Sequence, residues 1–184
     1  MNHPNIKTER RPGSRMRVLT STAAAMTVAM LVVIGIVVIG HQSGGKLTQY
    51  ESEALDVVYM QNEITDRWND TVDWFNQSHV TSDDEHIALY TKSVIAARSL
   101  AADSQAVIDR WKKIDVPEQN MASHQLGLEA LMAHQDGLIL FESFFQNALD
   151  TLVADQIQML EAEAKLTKSM ELWKQAEQAA LAEG

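Results

Sequence analysis

Apolar side chains are distributed in two different ways along this chain. Between Val18 and Gly40 they run together: the 23 residues VLTSTAAAMTVAMLVVIGIVVIG carry no charge. At about 1.5 Å rise per residue such a helix reaches roughly 34 Å, enough to cross a hydrocarbon core of about 30 Å with modest tilt. The segment therefore predicts a transmembrane helix. Beyond Leu47 the apolar residues recur every three or four positions, which is the spacing of one buried stripe on each of several helices.

Leu47, Ala54, Gln61, Trp68 and Phe75 lie seven apart, with Tyr50, Val57, Ile64 and Thr71 between them. This 3,4 alternation predicts a first helix with one narrow seam, in which Gln61 is the polar exception. Asn76-Gln77-Ser78-His79 is turn chemistry, and Ser82-Asp83-Asp84-Glu85 has the S-x-x-E spacing of a capping box that opens a second helix. Its stripe is Ile87, Tyr90, Val94, Ala97, Ala101, Ser104, Ile108 and Trp111, and Asp115-Val116-Pro117 ends it.

Pro117 predicts the first turn of a third helix, buried on Met121, Leu128, Leu131, Leu138, Phe141, Phe145, Ala148 and Leu152. Gly127 and Gly137 are expected to weaken that helix by about 1 kcal/mol each relative to Ala. One helix from Pro117 to Leu181 would be roughly 97 Å long, so a turn is expected at 151–155 with Asp155 as N-cap of a fourth helix. The stripe expected there is Ile157, Leu160, Ala164, Met170, Trp173, Ala176 and Ala180. The whole predicts an all-α protein, a single N-terminal transmembrane helix followed by an up-down-up-down four-helix bundle.

Charge orients this layout. Residues 1–17 carry five basic side chains against Glu9 alone and contain Pro4, Pro12 and Gly13, which reads as a disordered basic arm. Residues 41–184 carry 10 basic and 24 acidic side chains. Basic residues beside a span stay on the cytoplasmic side, so the expected arrangement is a cytoplasmic arm (1–17), a span (18–40), a flexible joint (41–46) holding Gly44-Gly45, and an acidic extracytoplasmic bundle (47–184) at the plasma membrane. With helix one leaving the bilayer, the turns at 77–82 and 150–155 fall at the distal end and Pro117 near the membrane. A cleaved signal peptide is the competing reading. Its apolar region is shorter, about 7–15 residues, and Val38-Ile39-Gly40 is a poor cleavage site, which favours a retained anchor.

Composition removes several chemistries. There is no Cys, hence no disulfide scaffold, thiolate metal site or Cys nucleophile, and a formal charge of −10 argues against a nucleic-acid binder. The chain contains no G-x-S-x-G, G-x-x-x-x-G-K or G-x-G-x-x-G, and no Glu-x-x-His of the kind bundle di-iron sites use. No catalysis and no cofactor are expected. His79 and His86 beside Asp83, Asp84 and Glu85 are weak candidates for a metal site, with a solvated capped turn as the simpler account. His124 and His134 flank the apolar face of helix three and are expected to be half-buried and hydrogen-bonded. Trp74 and Phe144 fall beside the stripes and are candidates for an interaction surface or a cleft. In the span, Ser21, Ala25 and Ala29 recur every four residues and offer a small-residue packing face.

In outline the layout resembles the membrane-anchored four-helix sensor domains of bacterial chemoreceptors and histidine kinases. That resemblance implies a second spanning helix leading to a cytoplasmic module. No second apolar run of that length occurs in residues 41–184, and no motif carries over. The expected function is therefore that of a single-pass membrane protein acting by protein–protein interaction, as an accessory or scaffold subunit or by self-association. Its expected partners are the lipid bilayer and a protein partner or second copy. The alternatives are a ligand-sensing bundle taking a small molecule and, third, a metal-binding protein on the histidines named above.

Overall fold

A computed structural model describes residues 47–151 and 153–183. The basic arm, the 18–40 segment with Ser21, Ala25 and Ala29, and the joint at 41–46 lie outside the described residues, as does Leu152. Four α-helices, α1 (Gln49–Gln77), α2 (Asp83–Trp111), α3 (Met121–Thr151) and α4 (Gln156–Glu183), make up nearly all of the described chain, with one 3-10 turn (Glu118–Asn120) before α3. No strand occurs among the described residues. Among them no helix is long and apolar enough to cross a membrane.

Local chemistry sets the boundaries. Thr48 caps α1 by accepting from the Glu51 amide at 3.2 Å, while the Thr48 amide donates to Glu51 Oε2 at 2.6 Å. Ser82 and Glu85 form the same reciprocal pair at the start of α2, and Thr81 adds a further bond to the Glu85 carboxylate. Those donors hold the Glu85 carboxyl below its usual pKa, the Thr81 amide most of all. Asp155 accepts from the Ile157 amide at 2.9 Å and starts α4, so the turn between α3 and α4 falls at 151–155 as expected. Pro117 sits one step earlier than expected, heading the 3-10 turn and not the α-helix.

Cross-helix pairs fix the directions. Arg67–Asp103 (2.8 Å) and Arg110–Asp56 (3.0 Å) hold α1 antiparallel to α2. Arg98–Glu142 (2.7 Å) together with the bond from Gln135 Nε2 to the Ala101 carbonyl (3.2 Å) does the same for α2 and α3, and Lys165–Asp136 (2.9 Å) with the bond from Ser169 Oγ to the Ala130 carbonyl (2.7 Å) for α3 and α4. The result is an up-down-up-down bundle, with the turns at 78–82 and 151–155 at one end and the Pro117 connection at the other. These ion pairs are half-exposed and are worth less than about 1 kcal/mol each, so they orient the helices more than they stabilise them.

Burial stabilises the bundle. Trp68, Trp111 and Trp173 are nearly inaccessible. Trp68 lies 4.7 Å from Phe141 between ring centroids, Trp111 meets Trp173 edge-on at 5.9 Å, and Phe75, Tyr90 and Phe145 form a ring cluster towards the end that holds the 78–82 and 151–155 turns. The third helix approaches both α2 and α4 closely, whereas α1 approaches α2 and stands off from α4. Two glycines of α3 permit this approach. A Cβ on Gly127 would lie 2.6 Å from the Trp111 ring, and one on Gly137 would lie 2.6 Å from Leu166 Cδ2. Both are therefore close-approach positions as well as weak points in the helix.

Three of the expected stripes hold except at their ends, where Leu47, Ile87 and Met121 are exposed. The fourth is corrected. On α4 the core face is Met159, Ala162, Leu166, Ser169, Trp173 and Ala176, and the expected Ile157, Leu160 and Ala164 point away from it.

Candidate functional site

Two features of the described chain stand apart from ordinary bundle packing. The first is a buried polar level. Gln61, Ser104 and His134 are all buried, and Gln61 Oε1, Ser104 Oγ and His134 Nδ1 have no hydrogen-bond partner among the described residues. The Gln61 amide nitrogen does reach Thr65 Oγ1, at 3.4 Å. The contacts Trp68–Phe141, Arg67–Asp103 and Gln135 Nε2 to the Ala101 carbonyl (3.2 Å) bring these three residues to within roughly one turn of a common level. Burial drives the His134 imidazole down to a pKa of about 4, so the ring is neutral near pH 7.

His134 is deeper than half-buried, at 3% exposure, and its Nδ1 is unbonded. Both points correct the expectation from sequence. The other α3 histidine, His124, is half-buried and stacks on Trp111 with centroids 4.5 Å apart and planes within 8°. Trp111 Nε1 donates to the His124 carbonyl at 3.0 Å, and burial lowers the His124 pKa.

The second feature is an apolar row on the outside of α4. Ile157 is 70% exposed and Leu160 50%, Ala164 follows on the same side, and Val153 at 59% sits in the turn before the helix. Successive α-helical residues are about 100° apart, so this row lies nearly opposite the core face of Ala162, Leu166 and Trp173. An open depression lined by Asn147, Thr151, Val153, Ala154 and Ile157 adjoins it at the turn between α3 and α4.

The two residues expected to mark an interaction surface separate. Trp74 is half-buried on α1, with Lys92 Nζ 3.7 Å from its ring centroid. A shallow cleft of about 160 Å³ beside it is lined by Asp70, Thr71, Lys92 and Ala96. Phe144 is 2% exposed and packs 5.2 Å from Phe145, so it belongs to the core and to no surface. The reason is that α3 is covered on two sides, and the flank of its stripe is buried along with the centre.

His79 is exposed in the α1–α2 turn, and His86 sits in the first turn of α2 with Nδ1 2.8 Å from the Ser82 carbonyl oxygen. Among the described residues no group of three or more ligating side chains converges to hold a metal ion. The α4 row is visible in the sequence, where its spacing is that of a core stripe, and the depth of His134 has no sequence signal beyond its place beside the stripe.

No protein-family model matches the chain, and no curated protein and no solved structure matches it.

Proposed function

We propose that this chain is a single-pass membrane protein whose acidic helical bundle stands on the extracytoplasmic side and acts by protein–protein contact, without catalysis. The observation that carries the reading is the outward row of Ile157, Leu160 and Ala164 on α4, with Val153 in the turn before it, apolar side chains left in solvent opposite a complete core face. Isolated exposed apolar residues are ordinary, but an aligned set on one helix face is characteristic of a contact surface. The uncharged 18–40 segment and the basic arm before it support the anchored topology, with the N-terminus cytoplasmic and the plasma membrane as the location.

The alternative, a ligand-sensing bundle, draws on the Trp74 cleft. At about 160 Å³ the cleft is smaller than the roughly 300 Å³ where small-molecule sites begin, and Lys92 already covers the indole ring. The contact reading is tested by native mass spectrometry and chemical cross-linking of the full-length protein in mild detergent. Dimers, higher oligomers or a stoichiometric protein partner are expected, and a monomer free of partners at all concentrations overturns the reading.

A further inference from the structure

Helix α4 is apolar on two opposite faces, and the charges beside the outer one are arranged for a particular neighbour. Ile157, Leu160 and Ala164 are spaced three then four apart, which is the a–d–a spacing of a coiled-coil seam. On that assignment Glu163 occupies a g position and Lys168 the e position five residues further on. In a parallel coiled coil the g side chain of one helix meets the e side chain of the other at this offset.

Neither Glu163 nor Lys168 is engaged within the described chain. The ion pairs found there use Arg67, Arg98, Arg110 and Lys165, and the last of these lies on a different side of α4, facing Asp136. Burial holds the Glu163 carboxyl above its usual pKa, so a cation brought alongside would favour its charged form.

The geometry points to a parallel, in-register pairing of α4 with the α4 of a second copy of this chain, seated on Ile157, Leu160 and Ala164 and flanked by two Glu163–Lys168 ion pairs. The inference rests on the contact reading above and specifies its partner. A second copy fits because the row is complementary to itself: a two-fold axis along the bundle sets each apolar residue against its own equivalent and generates both ion pairs at once. That axis also leaves both N-termini at the same end, as two copies anchored in one membrane require. The row is small. Thr167 and Glu171 continue it as polar positions, and three side chains with Val153 fall well short of the roughly 800 Å² each partner gives a standard soluble complex. Pairing therefore depends on anchorage to raise the effective concentration.

The chain has no native Cys, so single-Cys variants report one position each. Full-length Ile157→Cys and Ala164→Cys, reconstituted in lipid vesicles and mildly oxidised, are each expected to form a disulfide dimer. Ile95→Cys, on the exposed side of α2, is not. Glu163→Lys is expected to lower the dimer yield severalfold, and adding Lys168→Glu to restore it.

Disulfide formation only between mixed Ile157→Cys and Ala164→Cys proteins would mean antiparallel pairing and overturn the inference. Dimers captured by a lysine cross-linker without a disulfide at either position would also overturn it, while leaving the self-association reading intact. So would a disulfide-independent, stoichiometric capture of a different protein by the α4 row. Absence of any association in every assay would sink both. All substituted side chains except Glu163 are exposed, and far-UV circular dichroism of each variant verifies that the helices remain.

Discussion

Acidification is expected to destabilise the bundle through His134. Its ring is 3% exposed, Nδ1 has no partner among the described residues, and burial lowers its pKa from 6.5 to about 4. The unfolded chain takes up this proton near pH 6.5, the folded chain only near 4. The stability associated with the neutral ring is therefore complete above pH 6.5, declines as the pH falls through that window, and levels off below about 4. Each unit is worth about 1.4 kcal/mol, which makes the loss about 2 kcal/mol at pH 5 and about 3 kcal/mol in full. Against a typical total of about 5–15 kcal/mol this is a large fraction, and for a domain of this size about 2 kcal/mol lowers the melting temperature by roughly 4–8 °C.

Other groups move on the same axis and have to be separated from it. His124 shares the sign, because burial lowers its pKa too, but it is only half-buried. Glu163 has the opposite sign: its carboxyl is raised by burial, so its contribution is present in acid and lost as the pH rises through the folded value. The decisive comparison is with His134→Gln, which keeps a polar side chain at the position but cannot titrate. Melting of the full-length protein in mild detergent, followed by tryptophan fluorescence at pH 7.5 and pH 5, should show the native protein losing roughly 4–8 °C more than the variant. Equal losses in the two proteins would refute the reasoning, because the titrating group would then lie elsewhere.

Two further substitutions probe the packing and the caps. Gly127→Ala gains about 1 kcal/mol of helix propensity, yet its Cβ would stand 2.6 Å from the rigid Trp111 ring. Overpacking of about 1–3 kcal/mol is expected to win, so the melting temperature falls. Gly137→Ala meets Leu166 Cδ2 at 2.6 Å and Cγ at 2.9 Å, with the Ala162 carbonyl oxygen at 3.3 Å, so a loss of similar size is expected there; a rise in melting temperature for either variant would contradict the close-approach argument. Ser82→Ala removes the hydroxyl that accepts from the Glu85 amide and is expected to cost about 1 kcal/mol, read as a lower midpoint in urea unfolding with an unchanged slope.

Most of the fold was legible in the sequence because its signals were local. The Ser82–Glu85 capping box, the Asp155 cap and the 3,4 spacing from Tyr50 to Trp68 each depend on residues within a turn or two, and each appears in the structure. Thr48 and Glu51 carry the same S/T-x-x-E signal at the start of α1, one residue beyond the Leu47 that opens the heptad series. What was not legible depended on which neighbours a helix has. Phe144 and His134 lie at the edges of the α3 stripe, and only the cover of α3 by both α2 and α4 buries them. The face of α4 was ambiguous for a different reason. Its first half offers two apolar rows nearly opposite each other, Ile157-Leu160-Ala164 and Met159-Ala162-Leu166, each with two large side chains and one alanine, and periodicity does not rank one above the other. Packing selects the second, because small Ala162 and Ser169 allow α4 close to α3, where Ser169 Oγ donates to the Ala130 carbonyl at 2.7 Å. The outer row, Ile157, Leu160 and Ala164, is left exposed.

On the proposed reading, that outer row and the 18–40 segment depend on each other, and this makes the anchor's contribution measurable. The row is too small to hold two copies together in solution, whereas two copies sharing a bilayer have one orientation and a raised local concentration. Removing residues 18–40 should therefore move the protein from the membrane pellet to the supernatant and abolish dimers at micromolar concentration. Replacing the span with an unrelated apolar helix lacking the Ser21, Ala25 and Ala29 face separates confinement from specific packing. Restored dimers would mean that confinement suffices and that the row carries the contact. Dimers lost in the replacement would place part of the contact in the span itself. Dimers that persist with no span at all would refute the dependence, because the interface would then have to be several times larger than Ile157, Leu160 and Ala164 provide.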